Sequence, residues 1–135
     1  MGTLCVNELE KGKEHKWKIK IKTTKDNYIM VGVAPIDFDI NSSSYNCGWY
    51  LYCFSGYTNP TLNSGPPLNY HNAKTNLKKV KDEIKVIMNM NKRTLKFIID
   101  NEDKGDSYID IPIDKPLFPV VLLDFKNDSV EIVEC

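Results

Sequence analysis

Arginine is all but missing from this 135-residue chain: Lys+Arg number 18, and Arg93 is the only guanidinium among them. The 18 acidic residues bring the formal net charge to +0. A nucleic-acid binder needs a basic excess to neutralise phosphates, and arginine is its usual means of bidentate readout. The balance therefore argues against nucleic acid as a partner. Histidine is also scarce, with only His15 and His71. Neither lies at metal-ligand spacing from a cysteine or a second histidine, so no metal and no cofactor is expected. His15 reads as a strand-edge residue and His71 as a loop residue. No apolar run approaches the roughly 20 residues that span a bilayer, and Met1 to Val6 lacks the basic and apolar regions of a signal peptide. No membrane partner is expected, and the chain is expected in the cytoplasm. The four cysteines, Cys5, Cys47, Cys53 and Cys135, form no CxxC pair, which suits free thiols in a reducing compartment. Two sequons, at Asn41 and Asn127, would matter only in a secreted chain.

Catalytic signatures are absent as well: there is no GxSxG elbow, no GxxxxGK loop and no GxGxxG turn. Asp37-Phe38-Asp39-Ile40-Asn41 begins like a calcium loop, but Ser42 stands where the turn glycine belongs and Gly48 where the closing glutamate belongs. Asp100 to Ile111 has Gly105 in the glycine position yet ends on Ile111. Both segments read as acidic turns. An enzyme built on Asp37, Asp39, Asp103 and Asp106 has no other support, and the chain is read as non-enzymatic.

What is present is period-two patterning. In Lys16-Trp17-Lys18-Ile19-Lys20-Ile21-Lys22 every second residue is apolar and the others are lysine, the mark of a half-buried strand. Ile84, Val86, Met88 and Met90 repeat the pattern, as do Leu95, Phe97 and Ile99, with Asn91 to Arg93 between them as a hairpin. Further strands are expected at Leu4 to Asn7, Tyr28 to Ala34, Trp49 to Phe54, Ser107 to Ile111, Phe118 to Leu123 and Ser129 to Glu134. Turns are expected at Asp26-Asn27, Asn41 to Ser44, Asp103-Lys104-Gly105 and Asn127-Asp128. No segment carries a helical stripe. Ser55 to Val80, with Pro60, Gly65, Pro66 and Pro67, reads as one long irregular connection. The whole predicts an all-β, two-layer antiparallel β-sandwich formed as a single domain over 1–135, with Trp17 and Trp49 in its core.

Several blocks resemble the SPRY domain family. Glu10 to Ile21 is similar to its "KGxHyWEvkI" opening, with one residue inserted before His15. In the family's order there follow Val31-Gly32-Val33-Ala34, like "vGVA", and Gly48-Trp49-Tyr50-Leu51, like "GWxL". Ile87 to Asn101 resembles "vxlDmxxgTLxFxxNg", with Asn89 in place of the usual aspartate, and Leu117 to Val121 resembles "LyPvv". Few residues precede Glu10, where the family commonly has further strands, so the chain reads as a short form or as an excerpt of a larger protein. The resemblance implies a concanavalin-like jelly roll and a non-catalytic module that binds a protein or peptide partner through its loops. Tyr57 and Phe125 resemble family contact positions, and Tyr45, Asn59 and Lys126 lie in neighbouring loops. These five are the expected partner-binding residues, since tyrosine offers rigid amphipathic area and Asn and Lys can bond a partner's backbone and carboxylates. A glycan-binding lectin is the alternative, with Tyr45 and Tyr57 stacking on a sugar beside Asn59.

Overall fold

The lysine-alternating segment forms the strand β2, Glu14–Thr23, in a computed structural model that describes residues 2–4, 8–23, 29–35, 48–53, 57–58, 79–123 and 129–133. In chain order the other strands are β1 (Gly2–Leu4), β3 (Ile29–Pro35), β4 (Trp49–Tyr52), β5 (Tyr57–Thr58), β6 (Glu83–Asn89), β7 (Thr94–Ile99), β8 (Glu102–Tyr108), β9 (Leu117–Leu123) and β10 (Ser129–Val133). They build two five-stranded antiparallel sheets. One runs β1-β9-β3-β4-β5, here called the apolar sheet, and the other β10-β2-β6-β7-β8, the charged sheet. No described residue is helical.

The charged sheet follows the alternation read from the sequence. Trp17, Ile19, Ile84, Val86, Met88, Leu95, Phe97 and Ile99 point inward and are buried, while Lys16, Lys20 and Lys22 stay exposed. The exposed face is laced with ion pairs, Lys18 to Glu83 at 3.3 Å, Lys22 to Glu131 at 3.1 Å and Lys96 to Asp103 at 3.2 Å. Each is solvent-screened and worth little. The apolar sheet differs, because every residue of β3 is buried. Ile29, Val31 and Val33 join the inter-sheet core, and the outward Met30 and Ala34 are covered too, along with Tyr50 of β4 and Val120 of β9. A strand buried on both faces shows no alternation, which is why β3 reads as a continuous apolar run.

Trp17 and Trp49, each 2% exposed, face one another's sheet across a core that also holds Phe97, Leu51 and Val121. Tyr108 spans the layers, its hydroxyl donating to the Tyr50 carbonyl at 2.7 Å in the interior. Two glycines let the backbones close up. A Cβ at Gly32 would collide with the Trp49 carbonyl, and one at Gly48 with the Val33 carbonyl.

Four sequence expectations need correction. Ser55 to Val80 is not wholly irregular, since β5 pairs with β4 inside it. The strand expected at Ser107 to Ile111 is β8, which starts earlier and ends at Tyr108. Asp103-Lys104-Gly105 is accordingly no turn but an irregularity inside that strand: Gly105 takes φ 75, the Asp103 carboxylate accepts its N–H at 2.8 Å, and the register with β7 shifts nearby. The reversal lies at Asp100-Asn101, both left-handed at φ 48 and 69, a two-residue hairpin closed by the Ile99–Glu102 pair. The first strand occupies Gly2–Leu4, against β9, ahead of the expected Leu4 to Asn7; residues 5–7 lie outside the described residues. The Asn91 to Arg93 hairpin holds as expected, and Asn89 explains the family departure there. Its side-chain oxygen accepts the N–H groups of Asn91 and Lys92 at 3.0 and 2.8 Å, as an aspartate would, while its amide approaches Glu14 at 3.5 Å, where a carboxylate would be repelled.

Two core tests follow. Trp17→Ala is expected to lower unfolding free energy by about 3 to 5 kcal/mol, and Gly32→Ala by about 3 kcal/mol from overpacking against backbone that cannot retreat. Urea unfolding of both variants checks this; wild-type midpoints would refute the packing described.

Candidate functional site

The pairing registers define two ends of the sandwich. Ile29 pairs with Leu123, Met30 with Tyr52 and Tyr52 with Tyr57, so β3, β9, β4 and β5 all present one end there. In the charged sheet Thr23 pairs with Ser129, Lys20 with Glu83 and Ile99 with Glu102. Only five residues separate Thr23 from Ile29, and five separate Leu123 from Ser129, so the two sets lie at one end of the molecule. Cys53 and residues 79–82 and 100–101 lie there too. At the opposite end lie residues 8–13, Pro35, Gly48, 90–93 and 109–116.

The floor of the first end is tightly tied. Cys53 N–H donates to the Ile29 carbonyl at 2.8 Å, and Val80 N–H donates to the Cys53 carbonyl at 3.1 Å. The Asp100 carboxylate accepts three consecutive backbone N–H groups, from Lys81 at 2.9 Å, Asp82 at 2.8 Å and Glu83 at 3.0 Å. This carboxylate is thus committed to the chain's own backbone. Its rim carries the exposed side chains of Lys79, Lys81, Asp82, Asn101, Glu102 and Asp103, a polar border of both charges. Among the described residues no three His, Cys, Asp or Glu side chains gather as a metal could require, and no helix is long and apolar enough to cross a membrane.

Of the five expected binding residues, Tyr57 opens β5 opposite Tyr52, at this end. Tyr45, Asn59, Phe125 and Lys126 lie outside the described residues, as do His71, Asp37 and Asp39. Their anchors are nonetheless informative. Leu123, from which the Phe125–Lys126 connection departs, lies at the same end as Tyr57. Pro35 and Gly48, which bound the Tyr45 connection, lie at the far end of β3, roughly 20 Å away at the rise of an extended strand. Asn59 follows Thr58, which pairs with Leu51 and so leads away from the Tyr57 end. The sequence offered no sign of this division, because strand direction within a sheet is invisible until pairing is known. His15 is half-buried at the edge of β2, its Nε2 2.9 Å from the Glu10 carbonyl oxygen.

Two sheets sealed face to face, with connections gathered at their ends, define a class of sandwich that displays loops on a fixed frame. The family model for the SPRY domain matches residues 14–135, and the chain belongs to the SPRY domain family. SPRY domains generally serve as protein-interaction modules rather than enzymes. Among solved structures, the SPRY domain of human HERC1 is similar with a TM-score of 0.74 at 20% identity, covering 98% of this chain and 81% of that one. The PSpry domain of TRIM65 is similar with a TM-score of 0.64 at 15% identity, covering 99% and 70%. A further human SPRY domain gives a TM-score of 0.69 at 13% identity, covering 98% and 82%. No curated protein matches the chain.

Cys53, fully buried in the floor of this end, gives a pH test. Desolvation, with the negative charge of Asp100 adding to it, pushes its thiol well above the ordinary range. A thiol held protonated in the folded state but free to ionise when unfolded stabilises the fold below its unfolded pKa of about 8.5. That contribution is lost as pH rises from there toward the folded value, at up to about 1.4 kcal/mol per pH unit. Thermal unfolding between pH 8 and 10 is expected to show a steeper loss for wild type than for Cys53→Ala; parallel curves would contradict the buried thiol.

Proposed function

We propose that the domain binds a peptide segment of a partner protein, without catalysis, through connections at the end of the sandwich that carries Tyr57 and the Leu123 anchor. Tyr57 and Phe125 supply the aromatic contacts. Asn59 and Lys126 bond backbone and carboxylates of a short polar or acidic ligand, and Tyr45, whose connection is anchored at the opposite end, marks the limit of the site. The carrying observation is the common anchoring of Tyr57 and of the strand leading to Phe125 at one end. Its floor is held by Cys53, Val80 and Asp100 through backbone hydrogen bonds. A rigid floor lowers the ordering cost of binding, which is where loop-built sites otherwise lose affinity.

Selection of peptides from a random display library against the purified chain, followed by calorimetry of a selected peptide, tests the reading. Tyr57→Ala and Phe125→Ala are each expected to weaken binding by about 2 kcal/mol or more without changing the melting temperature. Lys18→Ala, on the exposed face of the charged sheet in a pair with Glu83, is expected to leave affinity unchanged. Loss confined to Lys18→Ala would place the site on another face. Tyr45→Ala separates a site confined to one end, which it would spare, from one that extends along the sandwich.

A further inference from the structure

The four outermost strands are not equally closed. On the charged sheet, β8 has Gly105 at positive φ and a shifted register, with Asp103 and Asp106 in the strand. Bulges and charges of this kind blunt an edge against pairing. The other edge of that sheet, β10, carries neither proline nor lysine, and its one irregularity falls at Ser129/Val130, before the regular stretch.

Its free side can be worked out. Ile21 N–H donates to the Asp82 carbonyl at 2.9 Å, so odd-numbered residues of β2 turn their backbone groups toward β6 and even-numbered ones toward β10. Lys20 faces Glu131 and Lys18 faces Val133. The N–H and C=O of Glu131 and Val133 are therefore used in the ladder, and those of Val130 and Ile132 point away from it. Among the described residues, the backbone of residues 129–133 makes no hydrogen bond beyond the β2 ladder. The core is open at the same place. Inward residues of β2, β6 and β7 such as Ile19, Ile84 and Leu95 are 0% exposed, whereas Ile21, Val130 and Ile132 are only partly buried. On the outer side Glu131 stands with 48% of its side chain exposed, held only by the screened pair with Lys22.

We propose that β10 is a second docking edge that accepts an extended strand from a partner protein, antiparallel to Val130–Val133, with the pattern apolar, Lys or Arg, apolar. The incoming backbone satisfies the outward N–H and C=O of Ile132. Its apolar residues flank the cation, lie opposite Ile132 and Val130, and close the exposed row with Ile21. The cation between them falls on the outer face against Glu131. A second copy of this chain fits poorly, because two β10 strands paired about their centres would set Glu131 against Glu131. The proposal is independent of the loop-end reading, since it uses no residue of that end.

The test uses a fluorescein-labelled peptide, Thr-Val-Lys-Val-Thr, and its Thr-Val-Glu-Val-Thr counterpart, with the whole chain. The lysine peptide is expected to bind saturably and to slow hydrogen exchange at the Ile132 amide, with the glutamate peptide at least fivefold weaker. Glu131→Lys is expected to reverse that order. Ile132→Pro, which removes an N–H not used by the β2 ladder, is expected to weaken the lysine peptide at least tenfold. The charge reversal keeps the proposal testable should the proline variant misfold. Absence of saturable binding, protection at residues away from β10, or an unchanged preference in Glu131→Lys would overturn it. So would a concentration-dependent dimer in sedimentation that protects the Ile132 amide, since a second copy would then be the occupant.

Discussion

Two apolar sheet faces share one core, and neither sheet can keep its inner face dry without the other. Trp17 on β2 and Trp49 on β4 fill the space between the sheets, and the Tyr108 hydroxyl reaches the Tyr50 carbonyl through it. At about 25 cal/mol per Å² of apolar surface removed from water, such side chains dominate the folding free energy. The hydrogen bond adds direction, because a buried tyrosine hydroxyl needs its acceptor in place. The Gly32 and Gly48 contacts follow from the same demand: β3 and β4 must lie close enough for the tryptophan to reach the core. The ends, where the connections emerge, inherit their positions from this interface.

That dependence links the fold to the function proposed for it. A binding surface made of connections has little stability of its own, so its geometry is borrowed from the strands that anchor it. Here the floor is fixed by backbone bonds from Cys53 and Val80, and by a carboxylate, Asp100, that gathers the N–H groups of 81–83. Sequence alone marks Asp100 as one acidic residue among many. Its role depends on the left-handed turn it occupies, which carries the carboxylate back over the start of β6.

The sheet edges impose a second constraint. A sandwich leaves outer strands exposed, and this molecule treats them unequally, with a bulged, acidic β8 and a plain β10. The outer face between them is covered in lysines whose ion pairs are screened and add little to stability. Their effect is on solubility and on which partners can approach.

Period-two alternation made β2, β6 and β7 legible from residues alone, because each has one wet face and one dry face and side chains alternate along an extended strand. The tryptophan core was legible too, with the family blocks setting its order, whereas the close approach at Gly32 and Gly48 shows only once β3 and β4 are paired. Other features needed the tertiary structure. The turn at Asp100-Asn101 was hidden by the stronger turn composition of Asp103 to Gly105, which a bulge absorbs within β8. Both-face burial of β3 erased its pattern. Which end each connection occupies, and therefore that Tyr57 shares an end with the Leu123 anchor while Pro35 and Gly48 do not, depends on strand pairing. Pairing is decided by contacts between segments far apart in the chain, and local composition carries no record of them.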